Sequence, residues 1–180
     1  MTHTQDDLLT TLRALGTEQT AHLDGSLTAH LIGTFGLLEE WGNAQHLCVA
    51  GLYHAAYGTD GFAGSFFDWH ERSLLASIVG EEVEPLIYLY AACDRPYTYA
   101  RVGRDGVQLD YRDRLGGMTR MLSVHESRAL LELTFANELE IALRNDPFRA
   151  QYHDHFMQLF PRCRPFVSER AYECFQMVFA

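Results

Sequence analysis

Residues 24–59, DGSLTAHLIGTFGLLEEWGNAQHLCVAGLYHAAYGT, decide how this chain is read. Leu27, His30, Leu31, Thr34, Phe35 and Leu38 recur at helical spacing, which predicts a helix over 26–41 closed by Gly42. Leu47, Ala50, Gly51 and His54 line one face of a second helix, over 44–57, ended by Gly58. The few residues between the two predict an antiparallel pair. Small residues on the second helix allow close approach of a neighbour. Each helix turns one histidine inward with its apolar side chains, so His30 and His54 are expected to meet at one site.

Outward from this pair the pattern stays helical. Residues 6–15 form a short candidate helix, and GTDGFAGSFF (58–67) a loop. Asp68 with Glu71 has capping-box spacing and opens a helix through Val79, stopped by Gly80. Pro85 suits the first turn of the next, whose body over 86–93 is apolar nearly all round and is expected in the core. Ser123 and Glu126 form a second capping box for a long helix. Beyond it, two more helices are expected, broken by Pro161 and Pro165, with Ser168 as the last N-cap. Between about 96 and 121, YTYARV and VQLDYRD alternate around GRDG, which predicts an arginine-rich β-hairpin excursion. The fold class is therefore all-α with one small hairpin. At 180 residues, 47% of them hydrophobic, the chain suits a single domain over 1–180.

The net charge of −10 speaks against nucleic acid or an anionic membrane as a partner, since both demand a basic surface. No apolar run approaches the roughly 18 residues of a membrane span. The polar, acidic start MTHTQDDLLT does not read as a leader, so a cytoplasmic location is expected. All 14 basic residues are arginine, so no lysine Schiff base or lysine general base is available. The four cysteines lack CxxC spacing and have apolar flanks, which predicts buried free thiols. Cys93, beside Asp94, is the one weighed as a nucleophile.

These residues resemble the HD-domain superfamily, whose members place one histidine on a first helix, a His-Asp pair on the next and an aspartate on a later one. His30 and His54 stand 24 residues apart, similar to the spacing in SpoT-type guanosine tetraphosphate hydrolases. IVGEEVEPLIYLY (78–90) resembles their FG-x-x-V-x-x-LV segment, and LLELTFANELE (130–140) their K-L-A-D-R-L-x-N segment. HLIGT, WG and AGLYHAAYGT also resemble a compact family of unassigned activity marked by H-L-x-G-T, W-G and A-G-L-[FY]-H-x-x-Y-G-T. The resemblance implies an HD-like helical bundle. It departs at three carboxylates: His-Asp becomes His54-Ala55, the following acidic pair becomes Gly58-Thr59, and the distant aspartate becomes Asn137.

Without those carboxylates a hard ion is poorly held, whereas imidazole favours Fe or Zn. A guanosine tetraphosphate hydrolase of the usual mechanism is not expected. The resemblance instead implies a small-molecule enzyme with a buried His30/His54/Asn137 pocket, acting by histidine acid/base chemistry or with a divalent metal (Fe or Zn) on His30 and His54. In that scheme His30, His54, Asn137 and Tyr57 are catalytic, and Arg72, Arg95, Tyr53 and Glu138 contact a small polar or anionic substrate. His22, Asp24, Asp60, Asp68 and His70 are further candidates for completing the site. The competing expectation is a catalytically inactive HD-like module binding a small ligand or a protein. A structural homodimer through the aromatic tail (Phe156, Phe160, Phe166, Tyr172, Phe175) is the third.

Overall fold

The structure is a computed structural model and describes residues 5–18, 21–22, 25–104 and 106–180. The chain is mostly helical with a small antiparallel hairpin, as the hydrophobic periodicity predicts. No helix among the described residues is long and apolar enough to cross a membrane. The chain divides into two compact units, Met1–Ala91 and Ala92–Ala180.

In the first unit α1 (Gln5–Ala14) is followed by a two-residue pairing of β1 (Ala21–His22) with β2 (Gly25–Ser26). Ser26 then caps α2 (Leu27–Glu40), its hydroxyl accepting the Ala29 N–H at 3.2 Å. Leu27, Leu31, Phe35 and Leu38 of α2 are buried, as are Leu47, Cys48, Ala50 and Leu52 of α3 (Gln45–Leu52), and the two helices pack together. α3 ends five residues before the expected Tyr57. Tyr53 leaves the helical region, and the Ala56 and Gly58 amides donate to the carbonyls of Tyr53 and Ala55, both at 2.9 Å. These tighter turns place His54 just beyond the helix instead of on it.

Asp68 caps not an α-helix but a 3-10 turn over Trp69–Glu71, its carboxylate accepting the His70 N–H at 2.9 Å. α4 (Arg72–Val79) follows and stops at Gly80, whose φ of +104° suits a residue without Cβ. α5 (Glu84–Ala91) is buried along most of its length, as its composition predicts.

In the second unit the expected strand YTYARV is a correction: residues 95–99 are α6 (Arg95–Tyr99). The Asp94 carboxylate accepts the Tyr97 N–H at 2.9 Å and Pro96 occupies the first turn, a pair of helix-start signals that outweighs the local alternation. The Arg101 guanidinium lies over the Tyr97 ring at 3.6 Å. The hairpin is confined to β3 (Asp110–Arg112) and β4 (Thr119–Met121), paired around Tyr111↔Arg120.

Ser123 and Glu126 make both bonds of the predicted capping box at the start of α7 (Val124–Arg144). α8 (Asp146–Cys163) runs through Pro161 instead of breaking there. Pro161 falls in the last turn, and Met157, whose carbonyl loses its amide partner, is 43% exposed, so water can replace the bond. Ser168 caps α9 (Glu169–Val178) as expected, and its hydroxyl and amide also reach the buried Glu132 carboxylate of α7 at 2.6 and 2.8 Å. Phe156, Phe160, Phe166 and Phe175 of the aromatic tail are buried, with Phe160 stacked on Phe135 of α7 at 3.9 Å.

Candidate functional site

His30 and His54 meet. His30 is 1% exposed on α2, and His54 is 2% exposed in the turn after α3. Their ring centroids lie 5.1 Å apart with the planes perpendicular. His54 stands edge-on to Tyr90 of α5 as well, at 5.4 Å. The early end of α3 accounts for the orientation of His54. A helix C-terminus leaves carbonyls without amide partners, and His54 Nδ1 lies 2.7 Å from the carbonyl of Gly51. A carbonyl only accepts, so Nδ1 carries the proton, and in the neutral ring Nε2 is the basic nitrogen.

Tyr57, one turn further along the same segment, donates its phenol to Glu84 Oε1 at 2.9 Å. Arg72 closes on Glu84 with two parallel bonds, Nε to Oε1 at 2.7 Å and Nη2 to Oε2 at 2.6 Å. Glu84 is 4% exposed. The Arg72 guanidinium also lies 3.9 Å over the face of Tyr88. Burial, reinforced by the Glu84 carboxylate, pushes the Tyr57 phenol well above its ordinary value, so it stays a proton donor at neutral pH. The bond to Glu84 likewise raises Arg72. Arg72, expected to clamp a substrate anion, is thus already matched to a carboxylate. Glu84, the acid in the first turn of α5, is not among the site residues expected from the sequence. Tyr90 passed as core.

Tyr53, expected to contact substrate, is buried and donates its hydroxyl to the Leu8 carbonyl at 2.7 Å, tying α1 down. Burial raises its phenol too. Asn137, Glu138 and Arg95 come together within the second unit. Glu138 Oε1 accepts from Arg95 Nη1 at 3.1 Å and from the Asn137 amide at 3.0 Å. Arg95, like Arg72, is therefore engaged by a carboxylate. Of the further candidates, Asp60, Asp68 and His70 are exposed, the last two paired at 2.7 Å. Asp24 and the side chain of His22 lie outside the described residues. Cys93 is fully buried.

Among the described residues no group of three or more His, Cys, Asp or Glu side chains could hold a metal ion. Two imidazoles alone fall short of the three protein ligands that a catalytic zinc ordinarily takes. Among the described residues the donors at His30 and His54 do not reach that number, and no step is routed through a metal.

A mostly helical chain with a buried histidine pair is what the fold and site define. Residues 11–95 match the model of a family described as a domain of unknown function (DUF6817). That segment holds both histidines and the Arg72–Glu84 pair, and it ends before Asn137. No match is found among curated proteins or among solved structures.

Proposed function

We propose that the chain is a degenerate HD-domain-like enzyme acting on a small polar molecule, with His54 and His30 as its acid/base pair. One observation carries this: two imidazoles, both fully buried, set edge-on at 5.1 Å with the tautomer of one fixed by a backbone carbonyl. Hydrocarbon would fill these two positions without any polar nitrogen to match, whereas each buried imidazole needs partners. His54 Nε2 takes a proton from the substrate, and His30 assists its return. Tyr57, a neutral phenol whose proton is held by Glu84, lies on the same turn as His54. Only first-unit residues enter this chemistry, in keeping with the extent of the family match.

A second reading, a catalytically inactive module that binds a small ligand, draws on the lost carboxylates of the HD pattern and on the missing third metal ligand among the described residues. One comparison separates the two. Wild type, His30→Gln and His54→Asn are incubated with a metabolite extract, and consumption is followed by mass spectrometry. His54→Asn can keep a donor toward the Gly51 carbonyl while losing the basic nitrogen. The enzyme reading expects a compound consumed by wild type and spared by both variants while their melting temperatures hold. Binding without turnover would favour the module, and full turnover by both variants would exclude the histidines.

A further inference from the structure

We infer that the ligand of the His30/His54 site carries a cationic nitrogen, and that Glu84 sets this preference; the inference rests on the histidine pair being a ligand site. The first observation is geometric. His54 touches Tyr90, and Tyr57 touches Glu84, so the 53–57 turn lies along α5 with the histidines toward one end and Arg72 toward the other. Glu84 and Tyr90 are six residues apart on that helix, about 9 Å along its axis. Arg72, one of the first unit's two arginines, is joined through Glu84 and Tyr57 to the turn that carries His54, and Glu84 holds it by two parallel hydrogen bonds. A guanidinium matched so closely to a buried carboxylate has its bidentate edge taken and presents no net charge to an incoming anion.

The second observation is the distribution of charge. The first unit contains twelve acidic residues and two arginines, a net charge of −10, whereas the second balances twelve against twelve. The other first-unit arginine, Arg13, pairs with Glu18 at 3.1 Å. Asp68, Glu71, Glu81 and Glu82 are exposed around the ends of α4 and α5 that carry Arg72 and Glu84. A field of this sign concentrates small cations and repels phosphate and carboxylate. The wall is also aromatic. Tyr88 holds the Arg72 guanidinium on its face, an example of a cation against one of these rings. Together these favour an amine over the anionic substrate that the arginines alone would suggest.

The test follows the histidine ring C–H resonances by NMR while the protein is titrated with benzylamine, benzoate or inorganic phosphate at low salt. Benzylamine is expected to move the His30 and His54 signals, with half-saturation at a concentration about tenfold or more below that of benzoate, and to weaken several-fold in 0.5 M salt. Glu84→Gln, which frees Arg72 while leaving an acceptor for Tyr57, is expected to bring benzoate and phosphate binding up toward that of the amine. Tighter binding of benzoate or phosphate to wild type would overturn the inference while leaving the histidine site standing. An unchanged preference in a folded Glu84→Gln would overturn the role of Glu84. If none of the three probes moves either histidine, the ligand site itself fails, and the inference with it.

Discussion

Replacing Glu126 by glutamine asks whether α7 is started by charge or by hydrogen-bond geometry alone. Glu126 accepts the Ser123 amide at 2.8 Å and the Ser123 hydroxyl at 2.7 Å, and it takes two bonds from Arg120 at 2.6 and 3.2 Å. The Arg120 guanidinium, helped by Ser123 and opposed by partial burial, holds the carboxyl down from 4.5 to about 2. A carboxylate depressed in the folded chain stabilises it fully above the unfolded value, and that contribution is lost as pH falls from about 4.5 toward 2. Taken at face value the shift is worth about 3 kcal/mol at neutral pH. Glu126 is 30% exposed and Arg120 44%, so screening reduces this to roughly 1–2 kcal/mol. Glutamine keeps the shape and an acceptor but not the charge. Urea unfolding followed by circular dichroism at pH 7, 5 and 4 should place the variant roughly 1–2 kcal/mol below wild type at pH 7. The gap should narrow by pH 4 and go on closing in more acid solution. A gap that is the same at every pH, or no gap at pH 7, would refute the electrostatic account.

Three further outcomes follow from packing and backbone geometry. Gly58→Ala should destabilise more than Gly42→Ala in thermal melts. Both positions have positive φ, worth roughly 1–2 kcal/mol to a Cβ-bearing residue, but only at Gly58 does the new Cβ also meet carbonyl oxygens, those of Phe62 and Gly64 at 3.1 and 3.2 Å. Phe160→Ala should cost about 3–5 kcal/mol in denaturant titration, because its ring is fully buried against Phe135 and Phe175. Glu132→Ala should cost roughly 1–3 kcal/mol and open the segment before α9 to limited proteolysis, since the Ser168 amide and hydroxyl lose their acceptor.

What the sequence carried was local. The Ser123/Glu126 capping box, the Ser168 cap, the stop at Gly80 and the buried face of α2 are each set by residues within a turn or two of one another, and each stands in the structure. The strand expected at YTYARV failed for a related reason. Tyr97 and Tyr99 alternate with smaller residues as a strand would, but the cap at Asp94 and Pro96 in the first turn are decisive, and both lie just outside the alternating window. Pairings between distant residues were not legible. Arg72 meets Glu84 twelve residues on, and Arg95 meets Glu138 forty-three residues on. No periodicity reports such a match, so both arginines looked available to a ligand when the fold had given each a carboxylate.

His54 meets a local rule and also belongs to the proposed site. His54 was placed on a helix face by period, yet its position depends on that helix ending early, at Leu52. Ending there leaves the Gly51 carbonyl to be satisfied, and the imidazole satisfies it at 2.7 Å. Serine or asparagine could cap a carbonyl equally well, so the cap alone gives no reason for a ring bearing a second nitrogen. Nor does packing, for Leu31 and Leu38 fill the neighbouring buried positions of α2 with hydrocarbon. What imidazole adds over any of these is the pairing of a donor fixed by the backbone with a base on the far side of the ring. Setting a second imidazole edge-on 5.1 Å away adds another ring with one donor and one acceptor nitrogen, which hydrocarbon at that position would not supply.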